Sequence, residues 1–427
     1  MGLPQASSGL AHTFPNLLKW SDRSHLFEKI STAIQQRHPE WKIRVEQAVL
    51  VLFADEKLYG NKGPISVERV PDSQLKRRLE CISPFCKHYM HHLRFENLTD
   101  PSWQHAAYKP HVQQPELTTE FIHEATLEEF LQVGYYECRF QTDPDLPTIS
   151  EANAEEISKA RSRDKGRCMV TNCSNTKHFW FIPFTWNNSS PHNNATGNLV
   201  SSSEDLADVG MLDSNLLGVK ELGKTHKSWN IMCIDRVLCD FLQRGWGGFR
   251  FEEAGQPNDK GIVKVKLRFY WMPQMTGRFN REAANNNELM DIVNEFNAFV
   301  RAGCPPPPTY PKSDDFKVPK SGQLVVVERN AGDVESFRCA VKIHWACVMY
   351  TVLCGGAERP QFMTGKDQSY GHLEPRDEQF THQKAELEEK DLVAQMAWKK
   401  YYQPSSDSGC GGSDPRTSGH GGGTSAG

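Results

Sequence analysis

"SWNIMCIDRVLCDFLQRGWGGF", residues 228–249, compresses an asparagine, two tryptophans, two cysteines and several glycines into one short span. Met232 and Cys233 alternate in an extended run, which predicts a strand. From 235 to 242 the apolar residues Val237, Leu238, Phe241 and Leu242 recur at helical spacing, and Gly245 ends the run. A strand thus leads directly into a short helix that carries Cys239. That thiol reads either as a metal ligand or as a buried core sulfur.

Working outward, the stretch from 153 has Asn153 as a helix cap, with Glu156 three residues later completing a capping box. This helix should run to about Lys165, where Gly166 can supply a left-handed end. RCMVTNC and KHFWFIPF then read as two extended segments joined by a turn around 172–176, followed by the polar loop NNSSPHNNATGNLVSSSED. Downstream, VKVKLRFYWM alternates as a strand, 287–301 reads as a helix, and CPPPPTYP as a stiff polyproline linker.

In the first 150 residues, Leu26, Phe27, Ile30, Ala33 and Ile34 repeat as a helix does. Trp41, Ile43 and Val45 alternate as a strand, as do Tyr136, Cys138 and Phe140. The fold class is therefore α+β. Boundaries fall at an N-terminal region 1–148, a central unit 149–275, an extension 276–360, and a helical stretch with a Gly/Ser-rich tail over 361–427.

A chain of 427 residues that is 38% hydrophobic can bury a substantial core. The first residues show no basic region followed by an apolar one, and the apolar stretch 341–354 is too short to cross a bilayer and contains Lys342 and His344. Twelve scattered cysteines then read as reduced thiols, so an intracellular, cytoplasmic or nuclear protein with no membrane association is expected. The net charge of -4 excludes coating of nucleic acid by sheer basicity, although 220–278 holds eleven Lys or Arg against six Asp or Glu.

Read in order, RSRDKGRCMVTNC, KHFWFIPF, SWNIMCIDRVLC and GWGGF resemble the HNH-endonuclease-domain proteins of filamentous fungi. Arg163, Asp164, Arg167, Cys168, Val170 and Thr171 match the first block, Ile182, Pro183 and Phe184 the second, and Trp229, Asn230 and Leu238 the third. The likeness continues through 245–249, RFYWMP, SGQLVVV and VKIHW to the GGAE motif ending at Glu358, about half of the chain.

The resemblance implies a ββα-metal core, in which a strand pair and a helix hold one divalent cation against a phosphodiester. Such hydrolysis needs a base to activate water and a Lewis acid at the leaving oxygen. The family's hairpin histidine is the base, its asparagine orients that base, and its helical histidine binds the metal. Here both histidines are exchanged: Trp180 stands at the base position and Cys239 at the metal position, while Asn230 keeps its identity. His178 shares a strand face with position 180 but lies roughly 6.6 Å along it at about 3.3 Å per residue. A thiolate at 239 suits zinc well and magnesium poorly, and Cys168, Cys173 and Cys233 could add ligands.

The expected divalent metal (Mg, Mn or Zn) therefore depends on whether this site survives. No small-molecule cofactor is evident. Two readings of the resemblance compete: a residual nuclease using His178, Asn230 and Cys239, and a non-enzymatic nucleic-acid-binding or protein-interaction module. An unrelated α+β protein is the third possibility.

Elsewhere, Cys81, Cys86, His88, His91 and His92 in CISPFCKHYMHH could ligate zinc, but the spacing matches no common finger, and Lys87 with Tyr89 suggests an ordinary surface segment. Arg244 and Arg250, with Trp229, Trp246 and Trp271, could contact phosphates and bases. The competing reading makes the tryptophans core and Lys264, Lys266 and Arg268 the solvated face of a strand.

Overall fold

The computed structural model describes residues 20–94 and 149–362, apart from residue 62 and short stretches within 189–222, 280–285, 312–317 and 360–361. The expected strand at 136–140, the helical stretch 374–402 and the tail fall outside the described residues. The principal elements are α1 (Trp20–Gln35), α2 (Asp72–His92), α3 (Ile149–Arg163), β1 (Thr176–Trp180), β2 (Ile231–Asp235), α4 (Arg236–Gln243), β3 (Gly247–Ala254), β4 (Ile262–Trp271), α5 (Asn286–Arg301), β5 (Gln323–Asn330) and α6 (Val334–Leu353). The fold is mixed α+β with two small antiparallel sheets, one of β1 and β2 and one of order β3-β4-β5.

Helical periodicity places Phe27, Ile30 and Ile34 of α1 in the core. The expected strand at 41–45 does not form. Val45 begins a four-residue helix, and the Arg44 backbone N–H bonds the Gln47 side chain at 2.8 Å, so a local cap outcompetes extension.

The surface reading of CISPFCKHYMHH is also corrected. It is the C-terminal half of α2, where Lys87, His88 and Tyr89 are fully buried. Lys87 survives there because Glu46 lies 3.5 Å away and the Phe362 ring faces its ammonium at 4.9 Å.

α3 begins at Ile149, so Asn153 lies inside the helix and does not cap it; Glu156 instead accepts the Ser228 backbone N–H at 2.7 Å. Gly166, at φ 61, takes the expected left-handed conformation. RCMVTNC is not a strand. Asn172, at φ 63, forms a one-residue bulge in which its N–H bonds Cys168 O and the Cys168 N–H bonds Cys173 O, closing the segment on itself. The partner of β1 is β2, reached across the 50 residues 181–230, with Thr176 opposite Asp235 and Trp180 opposite Ile231.

Asp235 ends β2 and caps α4, its Oδ1 accepting the Val237 and Leu238 N–H groups at 3.0 Å each. At Gly245, φ 83 turns the chain into β3, and a Cβ there would meet Met90 Cε at 3.1 Å. β4 alternates as its sequence predicts: Val263, Val265 and Leu267 are buried, while Lys264 is exposed and Lys266 and Arg268 are half-exposed. The proline-rich segment leads into Tyr310, which packs on Trp271 and Phe241 at 5.0 and 5.1 Å, so its end is held against the core.

One apolar core runs from Phe27 to Phe362 and includes α6. A second, small cluster joins Ala160, Trp180, Phe184 and Ile231, with Ile157 against it. Among the described residues no helix is long and apolar enough to cross a membrane.

Candidate functional site

Side chains alternate across a strand, so His178 and Trp180 share one face of β1 while Lys177 and Phe179 share the other. The packing follows this rule. Trp180 belongs to the small cluster with Ala160 and Ile157 of α3, and the charged groups that act on His178 are Arg161 and Asp164 from the same side. Cys239 belongs to the large core with Phe179, Met232 and Ile234, and the charged group that acts on it most is Lys177. Trp180 and Cys239 therefore lie on opposite faces of the β1–β2 pair. The positions that the resemblance assigns to base and metal are not brought together.

Each residue also has a chemistry unsuited to hydrolysis. Trp180 is 5% exposed and has no basic atom. Cys239 is fully buried, and burial pushes its thiol up to about 12, so it is no thiolate at neutral pH. Burial, and then the Arg161 guanidinium, lower His178 below the usual imidazole range. Opposite His178 stands Cys233, whose thiol is pushed up to about 12 by burial and then by Asp164.

Asn230 is bound to backbone throughout. Its Nδ2 donates to Ile182 O at 2.8 Å and Thr225 O at 3.1 Å, and its Oδ1 accepts the Ile182 N–H at 2.7 Å. These bonds pin the chain leaving β1 to the chain entering β2. Asn230→Ala should cost about 2–3 kcal/mol of stability by stranding buried backbone groups, a loss that urea unfolding would register. A change below about 0.5 kcal/mol would show the staple to be dispensable.

Cys168 and Cys173 are joined through their backbones, the Cys168 N–H donating to Cys173 O at 2.9 Å. The Sγ of Cys168 accepts the Val170 and Thr171 N–H groups at 3.4 and 3.3 Å, and Cys173 Sγ donates to Asp235 Oδ2 at 3.1 Å. Among the described residues no three His, Cys, Asp or Glu side chains are placed to hold a metal ion. Cys239, at the position where the resemblance places the metal ligand, packs in the cluster of Phe179, Met232 and Ile234, an apolar lining that does not suit a divalent cation. The α2 histidines are engaged elsewhere: His88 bonds Thr196 Oγ1 at 2.9 Å and His92 bonds Thr185 Oγ1 at 2.8 Å.

The basic candidates are paired or flanked by their own fold. Arg244 contacts Glu358 and Asp240 at 2.8 Å each. Arg250 lies opposite Arg268 in the sheet, beside Tyr270. Arg268 pairs with Glu252 at 3.2 Å, Lys266 with Glu253, and Lys264 stands opposite Glu328. Trp229, Trp246 and Trp271 are buried, and the indole N–H groups of Trp246 and Trp271 donate to Glu358 and Pro319 O.

Sequence reasoning missed two residues that organise this region. His226 is fully buried, stacks on Phe184 at 3.9 Å, faces Trp180 at 5.9 Å and contacts Phe184 O at 2.9 Å. Arg329, 2% exposed, donates to Trp229 O at 2.9 Å and Ile231 O at 3.1 Å, with its guanidinium 3.9 Å above the Phe337 ring. Its signal was available, because in QLVVVERN it occupies the inward register of Val325 and Val327. No protein-family model matches the chain, and comparison with curated proteins and with solved structures finds no match either.

Proposed function

We propose that the chain carries an HNH-like ββα unit, β1, β2 and α4, that does not hydrolyse phosphodiesters and works as a non-enzymatic interaction module. The order of strand, strand and helix, the packing of α4 on the pair, and Asn230 at the entry to β2 support the HNH-like reading. The observation that carries the non-enzymatic half is the separation of Trp180 and Cys239 into two apolar clusters on opposite faces of the strand pair. A hydrolytic site needs a base and a Lewis acid converging on one phosphate within hydrogen-bonding reach. Nothing in this arrangement supplies that convergence. Protein interaction is favoured over nucleic-acid binding because Arg244, the nearest basic candidate to α4, is already held by two carboxylates.

Supercoiled plasmid incubated with purified full-length chain and Mg, Mn or Zn should show no nicking above buffer. The variant carrying Trp180→His with Cys239→His should be equally inert, because restoring the residue types does not move them to one face. Metal-dependent nicking by the wild-type chain, abolished by Asn230→Asp in a folded variant, would overturn the proposal.

A further inference from the structure

The knuckle 168–173 brings the backbones of two cysteines together, away from the positions that a hydrolytic site would use. A backbone bond of 2.9 Å runs from Cys168 N–H to Cys173 O, and the Asn172 N–H closes onto Cys168 O at 2.8 Å. That bond holds the two residues side by side across the knuckle, the adjacency a disulfide needs to span its roughly 4.4–6.8 Å between Cα atoms. Both cysteines are free thiols.

Their surroundings differ in a way that assigns them different parts. Cys173 is only partly buried, so a small reagent can reach its sulfur. Cys168 is 2% exposed, and its sulfur is held in place by two backbone N–H groups, those of Val170 and Thr171. Cys173 is also wired to the fold: its S–H donates to Asp235 Oδ2, while Asp235 Oδ1 caps α4. The state of this one sulfur is therefore felt at the junction of β2 and α4.

We propose that Cys168 and Cys173 form a thiol–disulfide modification site, with Cys173 the thiol that attacks low-molecular-weight disulfides of the glutathione class and Cys168 the thiol that resolves the adduct. The Cys173 thiolate attacks one sulfur of the reagent disulfide, which releases one thiol and leaves a mixed disulfide on Cys173. Cys168, as thiolate, then attacks the Cys173 sulfur, forming the 168–173 bond and expelling a second thiol. The chain loses two electrons and two hydrogens, and the reagent gains both as two thiol molecules. Oxidation removes the S–H donor from Asp235 Oδ2 and so leaves α4 with a cap that is no longer braced from behind. Burial raises the Cys173 thiol above its ordinary value, so the first step accelerates as pH rises.

The test uses the intact chain treated with oxidised glutathione and digested without reduction. The expected product is a 168–173 linkage with no glutathione retained on either residue. In Cys168→Ser the reaction should stop at glutathionylated Cys173, and in Cys173→Ser residue 168 should stay unmodified. Each variant is first checked for wild-type circular dichroism. If either fails that check, the wild-type peptide map alone decides, since it needs no substitution. Glutathione persisting on Cys173 of the wild-type chain, modification of other cysteines ahead of Cys173, or co-purification of stoichiometric zinc that blocks both thiols would each overturn the proposal.

Discussion

Replacing Arg329 by Leu should remove about 3–5 kcal/mol of stability, the range found when one member of a buried charged network is deleted. The side chain is 2% exposed and ties together three carbonyls, those of Trp229, Ile231 and Glu328. Burial drives its guanidinium well below the ordinary arginine value, yet the carbonyls and the Phe337 face hold it in place. Leucine fills part of the space but donates nothing, so buried oxygens lose their partners.

Arg163 reaches the same Ile231 O at 2.7 Å and Ser228 O at 2.7 Å, while its own charge is met by Asp164 at 2.7 Å. The two arginines thus grip one strand entrance from two sides. A double-mutant cycle should give a coupling on the order of 1 kcal/mol. Urea unfolding followed by tryptophan fluorescence measures both quantities, and an Arg329→Leu loss under about 1 kcal/mol would sink the account.

Acid should also destabilise the fold, through neutral histidines. Burial lowers His226 from 6.5 to about 4 and His344 from 6.5 to about 3. A folded pKa below the unfolded one means that the unfolded chain takes up protons first. The stabilising contribution is therefore complete above pH 6.5 and is lost as pH falls from there towards 4 and 3.

The contacts explain the cost. With Nε2 of His226 donating to Phe184 O, the buried Nδ1 has no hydrogen-bond partner, so a proton placed there would find no acceptor. The Tyr89 hydroxyl donates to Phe181 O and accepts from Nδ1 of His344, which leaves Nε2 in the same position. The shift at His226 alone corresponds to about 3 kcal/mol. Between pH 7 and pH 4 the loss from the two together should be on the order of 5 kcal/mol. Chemical denaturation at stepped pH, repeated with His226→Gln and His344→Gln, separates them from carboxylates, since each variant should flatten the slope. Slopes equal to wild type in both variants would refute the assignment.

The parts of this fold that were legible in the sequence are those written in short-range periodicity. The α4 run with its closing Gly245, the alternation of β4 and the span of α5 needed only neighbours three or two apart. What escaped was non-local. RCMVTNC has strand-like composition, but Asn172 folds it back on itself, and the true partner of β1 lies beyond 50 residues. Lys87 and His88 look like surface residues until Glu46 and Thr196, far away in the chain, meet them.

At the candidate site the sequence names the residues but does not say on which sides of the strand pair they pack. Alternation alone places His178 with Trp180. Only the packing of α3 on one face and α4 on the other shows that Cys239 lies across the pair from both.

The distance along the chain between β1 and β2 has a kinetic meaning. Closing a loop of about 50 residues costs on the order of 3.5 kcal/mol of chain entropy before any rung of the ladder forms. Five residue pairs cannot recover that unaided. The intervening chain must first be gathered, and much of what gathers it comes from α2: Tyr89 on Phe181 O, His92 on Thr185 and His88 on Thr196. The strand pair should therefore form late in assembly, conditional on an N-terminal helix that shares no sequence motif with it. A polypeptide starting at residue 149 would contain every residue of the strand pair and α4 yet lack the helix that lets the two strands find each other.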